Sequence, residues 1–284
     1  MPARPFKLAL GVFLLAAVAA ADATWTEAFP AYRIVGNLYY VGSRGLASFL
    51  IATPQGNILI NSDLTSSPPL IRASVEKLGF HWRDTKILLI SHAHYDHCAG
   101  SAAVKRQTGA RYMVMAPDVP LVEDGGATDF QYAHDATMRF PPTKVDRVLH
   151  DGDKVTLGGV TLTAHLTPGH TKGCTTWTLS VPDGGRTYRV VIVGSLSVNS
   201  GYKLVHNAQY PQIAQDYEHS FQVLNSLPCD IFLGAHGIYY GMQEKYARMK
   251  AGDKNAFVDP DGYARFLHDR EADFRTELAR QSRH

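Results

Sequence analysis

Within His92-Ala93-His94-Tyr95-Asp96-His97, three imidazoles and one carboxylate stand almost side by side. Neutral imidazole nitrogen and carboxylate oxygen are the donors that zinc and similar divalent cations take up. Side chains two residues apart on an extended backbone point the same way, so His92 and His94 can grip one cation. Asp96 and His97, past a turn, can face a second. A surface loop that is merely rich in histidine is the competing reading. It does not explain why the cluster directly follows the apolar run Lys86-Ile87-Leu88-Leu89-Ile90. Two further histidines share that setting. His170 lies in Thr167-Pro168-Gly169-His170-Thr171, after the strand-like run 160–166, and His236 lies in Gly234-Ala235-His236-Gly237, after 231–233. Each ends an apolar strand beside glycine, and functional residues of layered α/β folds gather at strand ends on one sheet edge. The remaining histidines (81, 134, 150, 165, 206, 219, 268 and 284) lack this context. His165 alternates with Thr161 and Thr163, the pattern of a satisfied strand residue and not of a ligand.

The elements that must position these groups alternate between strand and helix. Strand-like runs lie at 38–41, 48–52, 58–60, 87–90, 112–115, 160–166, 175–181, 190–193 and 231–233. Gly and Pro-Gln-Gly turns between the early ones predict antiparallel hairpins. Leu70, Ile71, Val75 and Leu78 share a helical face after Pro68-Pro69, a favourable helix start. Ser101–Thr108, closed by Gly109, predicts a second helix. Tyr217, Phe221 and Leu224 mark a third, and Tyr263, Phe266, Leu267, Phe274 and Leu278 a C-terminal fourth. Sheets with helices outside them make a layered α/β sandwich of one domain over residues 22–284. The stretch 117–142 is long and weakly patterned, a surface excursion that can reach over a site. Its Phe130, Tyr132 and Phe140 read as packing beneath the loop.

The 284 residues are 45% hydrophobic and 10% aromatic, which excludes disorder. The balance of 28 basic to 26 acidic residues leaves no polycationic face for nucleic acid. At the N-terminus, Arg4 and Lys7 precede a 14-residue apolar run, Leu8 to Ala21. That run is short of the roughly 20 residues a spanning helix needs. Small residues close it, so cleavage can use Ala19 with Ala21 or Ala21 with Ala23. Residues 1–21 read as a secretory signal peptide. Its removal takes away Arg4 and Lys7 and leaves 26 basic against 26 acidic residues.

The H-x-H-x-D-H cluster, the later Pro-Gly-His and the final Gly-Ala-His resemble the metallo-β-lactamase superfamily across nearly all of the mature chain. The resemblance implies a four-layer αββα sandwich of two mixed sheets. The first motif is shared by thioesterases, lactonases and nucleases of that fold, so it does not name a reaction. Val191-Ile192-Val193-Gly194-Ser195-Leu196-Ser197 discriminates. Non-lactamase hydrolases of the superfamily mostly place a metal-bridging Asp at the end of this strand, where this chain has Ser195. With Gly201-Tyr202-Lys203-Leu204 following, the pattern is similar to subclass B3 of the β-lactamases.

That resemblance implies two zinc ions per chain, one on His92, His94 and His170, the other on Asp96, His97 and His236. It implies attack of a zinc-bound hydroxide on the β-lactam amide of penicillins, cephalosporins and carbapenems, and thereby antibiotic resistance. Asp96 would orient the hydroxide, Tyr202 would steady the oxyanion, and Ser195 and Ser197 would hydrogen-bond the antibiotic carboxylate. The expected protein is a periplasmic monomer with small-molecule partners, no nucleic acid and no membrane attachment after signal removal. A lactonase or thioesterase is the alternative. Cys229 matches a position that many subclass members tie to a later cysteine, but none follows it here. Cys98 and Cys174 are either neighbours of the ligands or a buried pair. The reading is three buried free thiols.

Overall fold

A computed structural model of the chain describes residues 23–283, so the expected signal segment 1–21 lies outside the described residues. Seven strands form the first sheet in sequence order: β1 (Tyr32–Val35), β2 (Leu38–Tyr40), β3 (Phe49–Thr53), β4 (Gly56–Ile60), β5 (Thr85–Leu89), β6 (Arg111–Met115) and β7 (Arg147–Leu149). The first four pair antiparallel, and β4 to β7 pair parallel. The second sheet runs β12 (Ile231–Gly234), β11 (Arg186–Val193), β10 (Thr175–Asp183), β9 (Val160–Leu166) and β8 (Lys154–Leu157). In it only β11 and β12 run parallel. Both sheets are therefore mixed, as expected.

The period of two along each strand builds the layers. Phe49 and Ile51 of β3, Ile58 and Ile60 of β4, and Ile87 and Leu89 of β5 face the second sheet, packing with Trp177, Val190 and Ile192. The intervening Leu50, Leu59 and Leu88 turn the other way. There they meet α1 (Pro68–Lys77), through Ile71 and Val75, and α3 (Ser101–Thr108), through Val104. A single turn, α2 (Tyr95–Cys98), precedes α3, and α4 (Val119–Asp124) follows β6. On the outer side of the second sheet lie α5 (Ile213–Ser226) and α7 (Pro260–Gln281). Tyr217, Phe221 and Phe274 join them in contact, with α6 (Met242–Lys250) completing that end. The result is helix, sheet, sheet, helix. Sequence patterning did not resolve β1, β7, β8 or α6. The three strands are three or four residues long at or near sheet edges, too short to show an alternation.

Three strand ends converge at one edge between the sheets: β5 leads into His92–His97, the β9–β10 turn carries His170, and β12 runs into His236. Trp177 Nε1 donates to Ile90 O (3.0 Å) and the Thr175 amide to Ser91 O (2.7 Å), stitching the sheets together directly below the cluster.

Candidate metal centre

His92, His94 and His170 are each buried, and their rings form a near-equilateral triangle with centroids 4.9, 4.6 and 4.7 Å apart. His94 Nδ1 and His170 Nε2 are 3.1 Å apart. The tautomer of His170 follows from its other nitrogen. Nδ1 lies 2.8 Å from Ser197 O, a carbonyl that can only accept, so Nδ1 carries the proton and Nε2 turns a lone pair inward. His92 Nε2 is buried with no hydrogen-bond partner. A second triad adjoins. Asp96 Oδ2 lies 3.2 Å from His97 Nε2 and 3.5 Å from His236 Nε2, and the two nitrogens are 3.1 Å apart.

These separations test the fit to a metal. Ligand atoms about 2.0–2.1 Å from a tetrahedral zinc stand about 3.3–3.4 Å from one another. The second triad and the His94–His170 pair of the first stand near that spacing, and His92 Nε2 is a buried nitrogen that protein atoms leave without a partner. Ligand atoms of His92, His94 and His170, and those of His92, Asp96 and His97, lie within 4.8 Å of each other, so the two candidate centres are neighbours. The residues fit.

Protonation agrees. Burial, reinforced by the neighbouring His94, takes His170 down to about 3, and burial with His97 does the same to His236. Burial also lowers His92 well below the usual imidazole range. Burial alone would raise the Asp96 carboxyl, but His97, His236 and His94 outweigh it and hold the group ionised. Neutral imidazoles at His92, His170 and His236 beside an ionised carboxylate are what a divalent cation needs. At His94 burial would lower the imidazole pKa, but the Asp129 carboxylate outweighs it and raises it.

Local sequence explains the placement. His94 is the extended residue just before the turn α2, and that turn brings Asp96 and His97 back beside His92, whose ring centroid is 4.4 Å from that of His97. Gly169 has φ +126°, and a Cβ there would lie 2.7 Å from the Tyr217 ring, so only glycine brings His170 this close to α5. His236 is fixed by its bridge to Leu46 and by the Gly237 amide donating to Gly45 O (3.0 Å).

A cleft of about 370 Å³ opens over both triads. His94, Asp96, His170 and His236 form its floor, with Trp25, Tyr132, Met138, Phe140, Ile238 and Tyr239 among its walls and Ser197 and Asn199 at one side. Tyr132 and Phe140 thus line the cleft, contrary to their sequence reading, because the loop after α4 folds over the site. Phe130 does pack beneath, against Tyr202 and Tyr210. His165 pairs with Thr178 (2.8 Å) on the second sheet and takes no part in either triad. The three cysteines are free and buried.

Two expected roles need correction. Tyr202 is 2% exposed and donates its hydroxyl proton to His170 O (2.8 Å). That proton goes to a backbone carbonyl, so Tyr202 holds the His170 loop in place and is not among the residues that line the cleft. Ser195 is 1% exposed and lies behind the cleft wall. Its Oγ meets Tyr239 Oη (3.2 Å) and accepts from the Ser197 amide (3.3 Å), so it supports Ser197 from behind that wall. Ser197 stays on the cleft, its Oγ 3.4 Å from Tyr239 Oη.

Sequence reasoning missed Tyr239, Trp25 and Asp129. Tyr239 follows His236 by one 3-10 turn, a spacing that could have flagged it. Trp25 comes from the N-terminal arm, its ring 5.8 Å from that of His236. Asp129 is buried with Oδ2 3.6 Å from His94 Nε2, and the amides of Gln131 and Tyr132 donate to its other oxygen. Nothing local to its loop announces that partnership.

Residues 43–236 match the family model described as the metallo-beta-lactamase superfamily. Among solved structures, the chain is similar to the native FEZ-1 metallo-beta-lactamase from Legionella gormanii, with 56% identity and TM-score 0.89, over 90% of this chain and 98% of that one. It is also similar to BJP-1, a subclass B3 metallo-beta-lactamase of Bradyrhizobium japonicum, with 38% identity and TM-score 0.86, over 92% and 98%. Of the curated proteins, a hydroxyacylglutathione hydrolase of Cereibacter sphaeroides is 38% identical over 111 residues. That match spans about a third of the relative's length, 34%.

Proposed function

The chain belongs to the metallo-beta-lactamase superfamily, and within it to the subclass B3 enzymes, and from that premise we propose that it hydrolyses the amide bond of β-lactam rings with two zinc ions. The observation that supports this reading best is the pair of adjoining triads beneath one cleft, in a chain matching a metallo-beta-lactamase over nine-tenths of its length. Zinc, when bound, supplies a nucleophile at neutral pH and polarises the carbonyl under attack.

The chain's own residues do the rest. His92, His94 and His170 hold one ion, and Asp96, His97 and His236 the other. Asp129, ionised against His94, fixes the orientation of that ring, the usual partnership of carboxylate and metal-bound histidine. Ser197 and Tyr239 place hydroxyl donors on the cleft wall for the carboxylate that β-lactams carry. Ser195, Ser197 and Tyr239 hold three hydroxyl protons. The two contacts among their oxygens use two, so one is left for an incoming acceptor. Trp25, Met138, Phe140 and Ile238 form apolar walls that seat the acyl substituent and limit water. The substrate range proposed is broad, carbapenems included, with the residues upstream of 22 directing the protein to the periplasm and the enzyme acting there as a monomer.

The partial match to hydroxyacylglutathione hydrolase favours a thioesterase as the second reading. Against it stands Ser195 at the end of β11, where a bridging carboxylate is expected of those enzymes. Zinc-loaded protein should open a carbapenem ring, monitored by loss of its ultraviolet band, and a chelator should abolish that activity. Thioester cleavage without ring opening would replace the lactamase reading with its rival.

A further inference from the structure

Two of the ligand-bearing segments meet at one buried carboxylate that belongs to neither triad. Asp118, in the 3-10 turn after β6, is 1% exposed. Its Oδ2 accepts from the Ala93 amide (2.9 Å) and from the Thr171 hydroxyl (2.8 Å). Its Oδ1 accepts from the Gly173 amide (2.7 Å). Ala93 stands between His92 and His94, and Thr171 directly follows His170. One side chain therefore bridges the turn after β5 in the first sheet and the β9–β10 turn in the second. Between them those turns carry all three imidazoles of the first triad.

The seat is built for a carboxylate. All three partners are donors, and an ionised Asp is a pure acceptor with lone pairs to spare. Gly173 completes it, because a Cβ there would fall 2.6–2.7 Å from the backbone nitrogen and side-chain carbons of Asp118. A buried Asp that merely satisfied its own turn would bond to neighbours in sequence. Asp118 instead bonds 25, 53 and 55 residues away, twice directly beside a ligand and once in the same turn as His170.

We propose that Asp118 is a positioning residue for the His92–His94–His170 metal site: it fixes the distance between the two turns and thereby sets metal affinity, touching neither metal nor substrate. This rests on the two-ion reading above but not on the identity of the substrate. Groups that orient ligands in this way usually alter metal affinity by about 10–100-fold.

Asp118→Asn keeps the shape and turns one acceptor into an NH2 group facing a donor. Thr171→Val is the milder variant, deleting a single bond. Each is stripped of metal, checked by circular dichroism and melting, and titrated with Zn²⁺ and Co²⁺ against a competing chelator, with the visible spectrum of the cobalt form recorded. The expected result is a folded Asp118→Asn protein in which one of two ions binds about 10–100-fold more weakly and the cobalt bands shift. Thr171→Val should show a smaller change in the same direction. Wild-type affinity with an unshifted cobalt spectrum in folded Asp118→Asn overturns the proposal. So does a loss of metal-free melting temperature with the cobalt bands unmoved, which is a role in folding alone. Should Asp118→Asn not fold, wild-type affinity in Thr171→Val overturns it equally. Ion titration involves no β-lactam, so failure of the lactamase reading leaves a separate trace in the ring-opening assay.

Discussion

His236→Ala tests the division of six ligands into two triads. The side chain is 16% exposed, and its Nε2 stands 3.1 Å from His97 Nε2 and 3.5 Å from Asp96 Oδ2. Removing it leaves two protein ligands at the second centre and touches no ligand atom of the first, where His94 and His170 keep their 3.1 Å spacing. Zinc bound by four protein ligands gains about 10–16 kcal/mol, or about 2.5–4 kcal/mol per ligand. Loss of one ligand therefore weakens the second ion by about 10²–10³-fold. The imidazole also packs against Trp25 and Tyr239, with ring centroids 5.8 and 5.1 Å away, so some rim contact disappears with it. Zinc-loaded wild type and variant are dialysed against metal-free buffer and zinc per chain is measured by atomic emission, with chelator competition giving the affinities. The expected outcome is two ions per wild-type chain and one per variant chain. Two firmly held ions in the variant would refute the assignment of His236. Loss of both would show that the triads act as one site.

Two further outcomes follow from the same geometry. Tyr239→Phe removes the hydroxyl that meets Ser195 and Ser197; a hydrogen bond to a charged group, about 1.5–3 kcal/mol, predicts KM for a carboxylate-bearing β-lactam rising at least about 10-fold with kcat little changed. An unaltered KM would remove Tyr239 from substrate binding. Metal-free protein should lose stability as pH falls: burial holds His170 and His236 neutral in the folded chain down to about 3, whereas unfolded imidazoles protonate near their usual value. The unfolded state then binds more protons between about 6.5 and 3, so stability is full above that window and declines through it, by several kcal/mol in all. Urea midpoints in excess chelator at a series of pH values measure this, and a flat profile would contradict it.

What the sequence made legible was whatever a short window contains. His92, His94, Asp96 and His97 share one such window. His170 and His236 each carry their own marker, a strand end flanked by glycine. The layered fold was readable for the same reason, since Phe49–Ile51 and Ile58–Ile60 are short continuous apolar runs, the mark of strands buried on both faces. Residues whose partners lie far off in sequence were not legible. Tyr202 sits in a motif that invites a catalytic role, yet its hydroxyl is taken by a carbonyl 32 residues away. Ser195 and Ser197 look equivalent, and only the position of Tyr239, 44 residues on, hides one and leaves the other on the cleft. Asp118 and Asp129 read as ordinary turn carboxylates. Their function is conferred by donors and rings that tertiary structure brings to them.

The order of causation between fold and metal also follows from the contacts. The ligands come from both sheets, so bound ions would clasp the two at one edge, and such a clasp could in principle be what holds them together, as in zinc fingers. Here it is not needed. Trp177 to Ile90, Thr175 to Ser91 and Ala47 to Ala235 join the sheets by hydrogen bonds of 2.7–3.0 Å beneath and beside the site. Asp118 adds two more across the same seam, to Thr171 and Gly173. The apolar core runs from Tyr32 and Leu38 between the sheets through the second sheet to Phe232 and Phe274 under the outer helices, far beyond anything two ions could organise. Ligands that the sheets themselves bring together would lose less conformational entropy on taking up a cation, so affinity at this site would draw on the organisation of the fold rather than on coupled folding.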